Sequence, residues 1–189
     1  MSSPSAPRLA RRIARFAAAL AVAGLTAGCF QPMYGDRSVA PGAASANDKM
    51  STVEVLPIAG GAGTRIARIG VEVRNDLIFD LTGGGPTAAS VYKLAIFLSA
   101  TQQQVIVDIN SARPEIQNYG LNASYTLTDA ATGKPLVSGQ TFARVSYNIP
   151  GQQQRFAGDR GLRDAENRAS KQISENIRSR LASYFVAGT

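Results

Sequence analysis

The sequence of 189 residues contains no histidine, no tryptophan and a single cysteine, Cys29. Without histidine, the chain cannot build a Ser-His-Asp or Cys-His catalytic site, and it cannot bind zinc or haem iron through imidazole. With one cysteine, it cannot form an intrachain disulfide or a cysteine cluster for zinc or iron–sulfur. Apolar residues make up 44% of the sequence, which is enough for one folded domain with appended segments. These absences favour a protein that works by binding or scaffolding.

The formal net charge of +7 is concentrated at the N-terminus. Residues 1–28 contain four arginines and no acidic residue, so this segment contributes +4. The remaining 161 residues hold 16 basic and 13 acidic side chains and contribute only +3. Removal of the first 28 residues would leave a nearly balanced chain, and we therefore expect no nucleic-acid partner.

Residues 1–28 have the pattern of a secretory signal peptide. Their arginines form a positive n-region, and the ten apolar residues Phe16–Leu25 are too few to span a membrane. The next residues, Leu25-Thr26-Ala27-Gly28-Cys29, resemble a bacterial lipobox, in which the cysteine sulfur carries a diacylglycerol. We predict that Cys29 is the lipid attachment site and that its acyl chains, palmitate among them, hold the mature protein on a membrane surface. The alternatives are an ordinary signal peptide with an unrelated cysteine and an uncleaved anchor.

Residues 29–50 are predicted to be the lipidated N-terminus and a flexible tether. The stretch Arg37–Met50 is rich in small and polar residues and has little periodicity. Phe30 stands where an aspartate would act as the inner-membrane retention signal of enteric bacteria. We therefore expect the protein to be anchored to the periplasmic side of the outer membrane, with its folded domain at residues 51–187.

The folded domain is predicted from hydrophobic periodicity and turn residues. The segment 101–118 either extends the second strand or belongs to the third. The order of the elements predicts an α+β fold, a two-layer sandwich in which a mostly antiparallel sheet of about four strands is covered on one face by two helices. The predicted elements are a strand at Thr52–Leu56, a helix capped by Thr64 and ending near Leu81, strands at Ser90–Ala100, Tyr119–Leu127 and Leu136–Ile149 with a hairpin turn at Asp129–Lys134, and a final helix at Asp159–Val186.

Each predicted helix has an apolar stripe at spacings of three and four residues, which is the mark of one buried face. In the strands, apolar and polar residues alternate, so one face is expected to be buried and the other polar. The stripe of the first helix is Ile66, Ile69, Val73, Leu77 and Leu81, and that of the final helix is Leu162, Ala165, Ala169, Ile173, Ile177, Leu181 and Phe185.

The sequence contains no motif with the spacing of a known catalytic site, and we do not expect an enzyme. The loop Gly61-Ala62-Gly63-Thr64 lacks the third glycine of a dinucleotide motif and is not followed by Gly-Lys-Ser/Thr, so we interpret it as a connection. We assign Asp159, Asp164 and Glu166 to helix-dipole and solvation roles instead of an acid/base pair. The seven basic residues between Arg155 and Arg180 are interpreted as a solvated helix face, with an anionic-ligand surface as the alternative.

The segment Ala27–Gly35 (AGCFQPMYG) resembles the start of the mature chain in the LPS-assembly lipoprotein LptE family of alphaproteobacteria, although that family has a glycine after the cysteine and leucine where Met33 stands. Three further blocks follow in the family's order, and the matches span nearly all of residues 29–186. These blocks are Arg74–Leu77 with Gly83–Pro86 and Tyr92–Leu94, then Tyr125–Asp129 with Gly133 and Ser138–Gly139, then Ser146–Asn148 with Asp164–Ala169.

The resemblance implies a two-layer α/β lipoprotein of the Gram-negative outer membrane that takes part in lipopolysaccharide transport and assembly at the cell surface. Such proteins act as plug and assembly partner of the LptD barrel, bind lipopolysaccharide and use no cofactor. Two other classes stay open. One is a structural or envelope-tethering lipoprotein with no role in lipopolysaccharide transport, and the other is a periplasmic lipoprotein enzyme that uses carboxylates.

Three basic residues are the first candidates for binding lipopolysaccharide, which carries phosphate groups that arginine and lysine bind well. Arg113, Lys134 and Arg144 lie on or beside the polar side of the predicted sheet. The alternative is that all three are ordinary exposed residues of strands and turns.

Overall fold

The computed structural model describes residues 45–61, 63–85, 89–108, 113–149 and 155–187. Cys29, the predicted signal peptide and most of the predicted tether lie outside these residues. No helix in the described part of the chain is long and apolar enough to cross a membrane. The elements, in chain order, are α1 (Ala46–Ser51), β1 (Val53–Val55), α2 (Arg65–Thr82), β2 (Tyr92–Asp108), β3 (Arg113–Asp129), β4 (Pro135–Asn148) and α3 (Arg155–Ala187).

The four strands form one mixed sheet in the order β1-β2-β3-β4. β1 is short and runs parallel to β2, and only Tyr92, Lys93 and Leu94 of β2 pair with it. The crossover through α2 permits this parallel pairing, since a tight turn can join only antiparallel neighbours. The β2–β3 and β3–β4 pairs are antiparallel. The prediction of a mostly antiparallel sheet of about four strands within an α+β fold is confirmed.

Local signals explain the bounds of α2. Thr64 is the N-cap, and its hydroxyl oxygen accepts a hydrogen bond from the backbone N–H of Ala67 at 3.2 Å. Gly83 ends the helix in a left-handed conformation with φ of 65°, which glycine adopts without steric cost. Within the helix, Gly70 is buried, and a Cβ at this position would lie 3.2 Å from the side chain of Ile58. This close approach explains a glycine that helix propensity alone disfavours.

The core lies between the sheet and the two long helices. All seven residues of the apolar stripe predicted for α3 are buried, and four of the five predicted for α2 are buried, with Ile66 at the half-buried edge. The sheet contributes alternate residues of all four strands, as the pleat requires. The buried sheet residues are Val53, Val55, Leu94, Ile96, Leu98, Tyr119, Leu121, Ala123, Tyr125, Leu127, Ala143, Val145 and Tyr147.

The segment left open in the sequence is part of a long hairpin. β2 continues to Asp108 and pairs with β3 from Arg113 onwards, with register shifts after Gln104 and after Ile106. β4 pairs only with the part of β3 from Ile116 to Thr128, so the far end of the β2–β3 hairpin extends past β4. The strand is extended and does not divide at residue 101.

The last residues of the predicted tether are helical. Residues 46–50 belong to α1, which begins with a capping box between Ser45 and Asp48, each side chain bonding the other's backbone N–H. Met50 is only 1% exposed and anchors α1 to the domain. The tether prediction fails for these residues because the capping box and the burial of one side chain outweigh a composition that favours a loop.

Candidate functional site

α2 and α3 cover one face of the sheet, and the opposite face is uncovered by the described elements. We call this surface the open face. Its side chains come from alternate positions of three strands, as the register requires. They include Lys93, Ala95, Phe97, Ser99, Thr101 and Gln103 of β2, Asn118, Gly120, Asn122, Ser124, Thr126 and Thr128 of β3, and Ser138, Gln140, Phe142, Arg144 and Ser146 of β4.

Two phenyl rings project from the open face into solvent. Phe97 is 64% exposed and Phe142 is 67% exposed. Phe97 lies opposite Ser124, and Phe142 lies opposite Asn122, so the rings stand on the two strands that flank β3. Between them lies a shallow groove of about 300 Å³ that Gln140 also lines. The groove therefore has two apolar walls and a floor of small polar side chains.

The structure does not bring the three predicted lipopolysaccharide-binding residues together. Arg144 is exposed on the open face opposite Gly120, and Lys134 is exposed where the β3–β4 turn ends. Arg113 begins β3 and pairs in register with Asp108, at the other end of the sheet. At about 3.3 Å per residue, Arg144 is roughly 33 Å from Lys134, and β3 itself is about 50 Å long. One phosphate group cannot contact all three.

The turn that carries Lys134 is held in place by a network around Asp129. The backbone N–H of Asp129 donates to the Lys134 carbonyl at 3.0 Å, and Gly133 has a φ of 70°. Oδ1 of Asp129 accepts hydrogen bonds from the backbone N–H and hydroxyl of Thr132 and from the backbone N–H of Ala131. The bonds from Thr132 hold the pKa of Asp129 below its ordinary value. Lys134 thus sits on an ordered hairpin turn, as the sequence predicts.

Glu166 forms an ion pair that is not among the expectations from the sequence. Its side chain is buried, and Oε2 is paired with the guanidinium of Arg68 on α2. Arg68 also donates to Oδ1 of Asn167 at 3.3 Å. The assignment of Glu166 to helix-dipole and solvation roles is therefore wrong, whereas Asp164 is exposed and pairs with Arg168 at 2.8 Å.

A sequence signal for this burial was present. Glu166 follows Leu162 by four residues and precedes Ile173 by seven, which places it beside the apolar stripe of α3. Arg68 directly precedes Ile69, a buried residue of α2. Arg68 and Glu166 border the apolar stripes of two predicted helices and are 98 residues apart in the chain. Their ion pair can be predicted only when these two helices are known to lie side by side.

A buried tyrosine lies near this ion pair. Tyr119 of β3 is 2% exposed, and its hydroxyl has no hydrogen-bond partner among the described residues; the same is true of Oε1 of Glu166. Burial raises the pKa of Tyr119 to about 12, the Glu166 carboxylate acts in the same direction, and Arg68 and Arg65 oppose it. The cluster holds one buried carboxylate, Glu166, which is already bound to Arg68, and Arg68 also pairs with the more exposed Glu72 at 3.6 Å. No group of three metal-ligating side chains occurs in the described residues.

The profile of one protein family matches most of the folded domain. That family is described as LptE: Lipopolysaccharide-assembly, and the match covers residues 50–181. No curated protein sequence matches the chain.

Solved structures with the same fold come from several bacteria. A lipoprotein from Caulobacter crescentus CB15 is 22% identical, with a TM-score of 0.58 over 76% of this chain and 97% of that one. Rare lipoprotein B from Shewanella oneidensis is 14% identical, with a TM-score of 0.51 over 71% of this chain and 98% of that one. A minor lipoprotein from Acinetobacter baumannii is 10% identical, with a TM-score of 0.51 over 70% and 92%. At these identities the likeness shows a shared fold.

Proposed function

Because the chain belongs to the LptE family of lipopolysaccharide-assembly proteins, we propose that it is a lipid-anchored outer-membrane protein that takes part in lipopolysaccharide transport and assembly at the cell surface. The family match over residues 50–181 is the observation that carries this proposal. The predicted lipobox at Cys29 supports it, since the match begins 21 residues after the cysteine and leaves room for a tether between anchor and domain.

We further propose that the protein is the plug and assembly partner of an LptD-type barrel and works by binding, without a chemical reaction. Two features of the domain support this role. It is a two-layer domain whose open face is polar with an uncharged centre, and the interior of an outer-membrane barrel is polar. The carboxylate buried in the domain, Glu166, is engaged by Arg68 and faces away from the open face.

Lipopolysaccharide binding is the third part of the proposal. Phosphate groups accept charge-assisted hydrogen bonds from arginine and lysine, which are about twice as strong as neutral ones. Lys134 and Arg144 are both exposed, so each is open to an anionic ligand. Since Arg113, Lys134 and Arg144 are far apart, each would contact a different group of the ligand, and they must be replaced one at a time.

The partner is tested by purifying the tagged full chain from detergent-solubilised outer membrane. Recovery of a large β-barrel protein in a fixed ratio to the chain is the expected result. If the chain is recovered alone, the translocon role is wrong, and an envelope-tethering lipoprotein becomes the better description.

Lipopolysaccharide binding is tested with the purified protein and labelled lipopolysaccharide. We expect at least one of Arg113→Ala, Lys134→Ala and Arg144→Ala to weaken binding fivefold or more. The matched control is Arg163→Ala on α3, an exposed arginine on the opposite layer. Unchanged affinity in all three variants would remove these residues as contacts, and a loss confined to Arg163→Ala would move the anionic-ligand surface to α3.

A further inference from the structure

The two layers of the domain present very different surfaces to their surroundings. The open face carries few charged residues: Arg144 lies on β4, and Lys93 lies at the start of β2 in register with Glu54 of β1. The solvent side of α3 carries both signs of charge along its length. Its exposed charged residues are Asp159, Arg160, Arg163, Asp164, Arg168, Lys171, Glu175 and Arg180. The helical layer is therefore densely charged, whereas the sheet layer is polar and carries few charges.

The two exposed phenyl rings give the open face the composition of an interface. Exposed aromatic side chains surrounded by uncharged polar residues are typical of interface cores, from which charged residues are depleted. Phe97 and Phe142 lie on either side of the groove, where a partner side chain could enter between them. Aromatic anchors at the centre of a contact surface often contribute most of the binding free energy.

The chemistry of the open face favours a neutral polar β-sheet as its partner. A phosphate-bearing lipid would need several cations, and the part of the face between Ala95 and Ser99 has none on any of its three strands. Acyl chains would need a continuous apolar surface, whereas Ser124 and Asn122 separate the two rings. The serine, threonine, asparagine and glutamine side chains can instead bond to similar groups on a facing sheet, at the distance of about 10 Å that separates packed sheets.

We propose that the open face, centred on Phe97, Ser124 and Phe142, is the surface by which this domain docks against the polar inner wall of its barrel partner. The proposal rests on the proposed function, because it needs a barrel to exist. The charged helical layer, formed by α2 and α3, would then face the rest of the barrel lumen or water.

The first test replaces both anchors in the full-length lipoprotein, as Phe97→Ser with Phe142→Ser. We expect barrel recovery from outer membrane to fall at least tenfold, while the thermal unfolding midpoint and lipopolysaccharide binding of the purified protein stay unchanged. The matched control is Phe156→Ser, because Phe156 is a phenylalanine of α3 that is 84% exposed. Full recovery of the barrel by the double variant would overturn the proposal.

A second test does not depend on weakening the contact. A photoreactive phenylalanine analogue is placed at Gln140, beside the groove, or at Gln172, an exposed glutamine of α3. We expect crosslinks to the barrel from position 140 and few or none from position 172. Crosslinks from position 172 alone would overturn the proposed surface.

The two levels of the proposal fail in different ways. If the unmodified chain recovers no barrel, the proposed function is wrong, and the proposed docking surface is wrong as well. If the unmodified chain recovers the barrel and the double variant recovers it equally well, only the docking surface is wrong. If the double variant keeps the barrel but loses lipopolysaccharide, the open face is a lipopolysaccharide surface and the docking proposal is overturned.

Discussion

The Arg68–Glu166 ion pair joins the two long helices at a point shielded from water. Glu166 is 4% exposed, whereas the side chain of Arg68 keeps 26% of its exposure. Removal of the carboxylate leaves a partly buried guanidinium without its principal partner, and it also leaves a small void. The pair therefore matters more to stability than an ion pair on the outer surface of a helix.

We expect Glu166→Ala to lower the free energy of unfolding by about 2–4 kcal/mol, near the cost of breaking a buried pair. The matched control, Asp164→Ala, removes an exposed carboxylate two residues earlier and should cost less than about 1 kcal/mol. Urea unfolding of both variants measures the difference. Equal losses in the two variants would mean that the buried pair contributes no more than the exposed one.

The hydroxyl of Tyr119 predicts an alkaline loss of stability. In the unfolded chain a tyrosine loses its proton near pH 10, whereas burial raises the pKa of Tyr119 to about 12 in the folded protein. Between these values the folded state binds more protons than the unfolded state, so stability falls as pH rises, by about 1.4 kcal/mol per pH unit for one such group. The same cause, burial, also raises the pKa of Tyr125 and Tyr147.

Replacement of Tyr119 by phenylalanine should therefore reduce, without abolishing, the fall in stability between pH 10 and 12. At pH 7 the variant should stay within about 1 kcal/mol of the original, because the hydroxyl has no hydrogen-bond partner among the described residues. Denaturant unfolding at several pH values checks both points. An alkaline decline as steep in the variant as in the original would contradict the role of Tyr119.

At the level of elements, the start of α2 depends on one hydroxyl group. Thr64→Ala removes the acceptor for the backbone N–H of Ala67, and we expect a loss of about 1 kcal/mol. The matched control is Thr82→Ala at the other end of the helix, where the hydroxyl only donates back to the carbonyl of Ile78. This variant should change stability by less than about 0.5 kcal/mol, since alanine is the better helix former. A larger loss for Thr82→Ala than for Thr64→Ala, measured by thermal unfolding, would refute the capping argument.

Most elements could be predicted from the sequence because their signals are local. The Thr64 cap and the Gly83 stop bound α2, and the alternation around Leu121 and Tyr125 identifies β3 together with its buried face. β2, β3 and α3 are longer than the sequence predicts. β2 continues through polar glutamines because it pairs with β3 there, and α3 begins among glycines, whose helix propensity is low.

Contacts between distant residues account for what could not be predicted. Gly139 is one example: a Cβ there would lie 2.6 Å from the hydroxyl of Tyr125, so the ring lies over the glycine of the neighbouring strand. Arg74 is another, since its Nε donates to the Val55 carbonyl at 3.0 Å and ties α2 to β1. The same holds for the candidate site. The alternation in β4 predicts which face of the sheet Arg144 and Phe142 lie on, but their neighbours on β3 depend on the strand register, which the sequence does not give.

For the whole molecule, the lipid anchor at Cys29 stays a prediction. We expect Cys29→Ser to abolish incorporation of labelled palmitate and to remove the protein from the outer-membrane fraction of a sucrose gradient, since stable attachment needs acyl chains. The control Ser38→Ala lies in the predicted tether and should keep both properties. A Cys29→Ser protein that still carries the label would show that another residue is lipidated.

Because β1 is short, most of one edge of the sheet is left without a neighbouring strand in the described part of the chain. β1 pairs with only three residues of β2, and beyond Leu94 no described strand occupies that side of the sheet. Residues 95–104 contain no proline and no charge, the two devices that most often keep a bare strand from recruiting another chain. We expect the purified domain to self-associate as its concentration rises, and Ala100→Lys to suppress this in sedimentation velocity. Newly exported copies would then need either rapid assembly or a periplasmic chaperone to avoid aggregation.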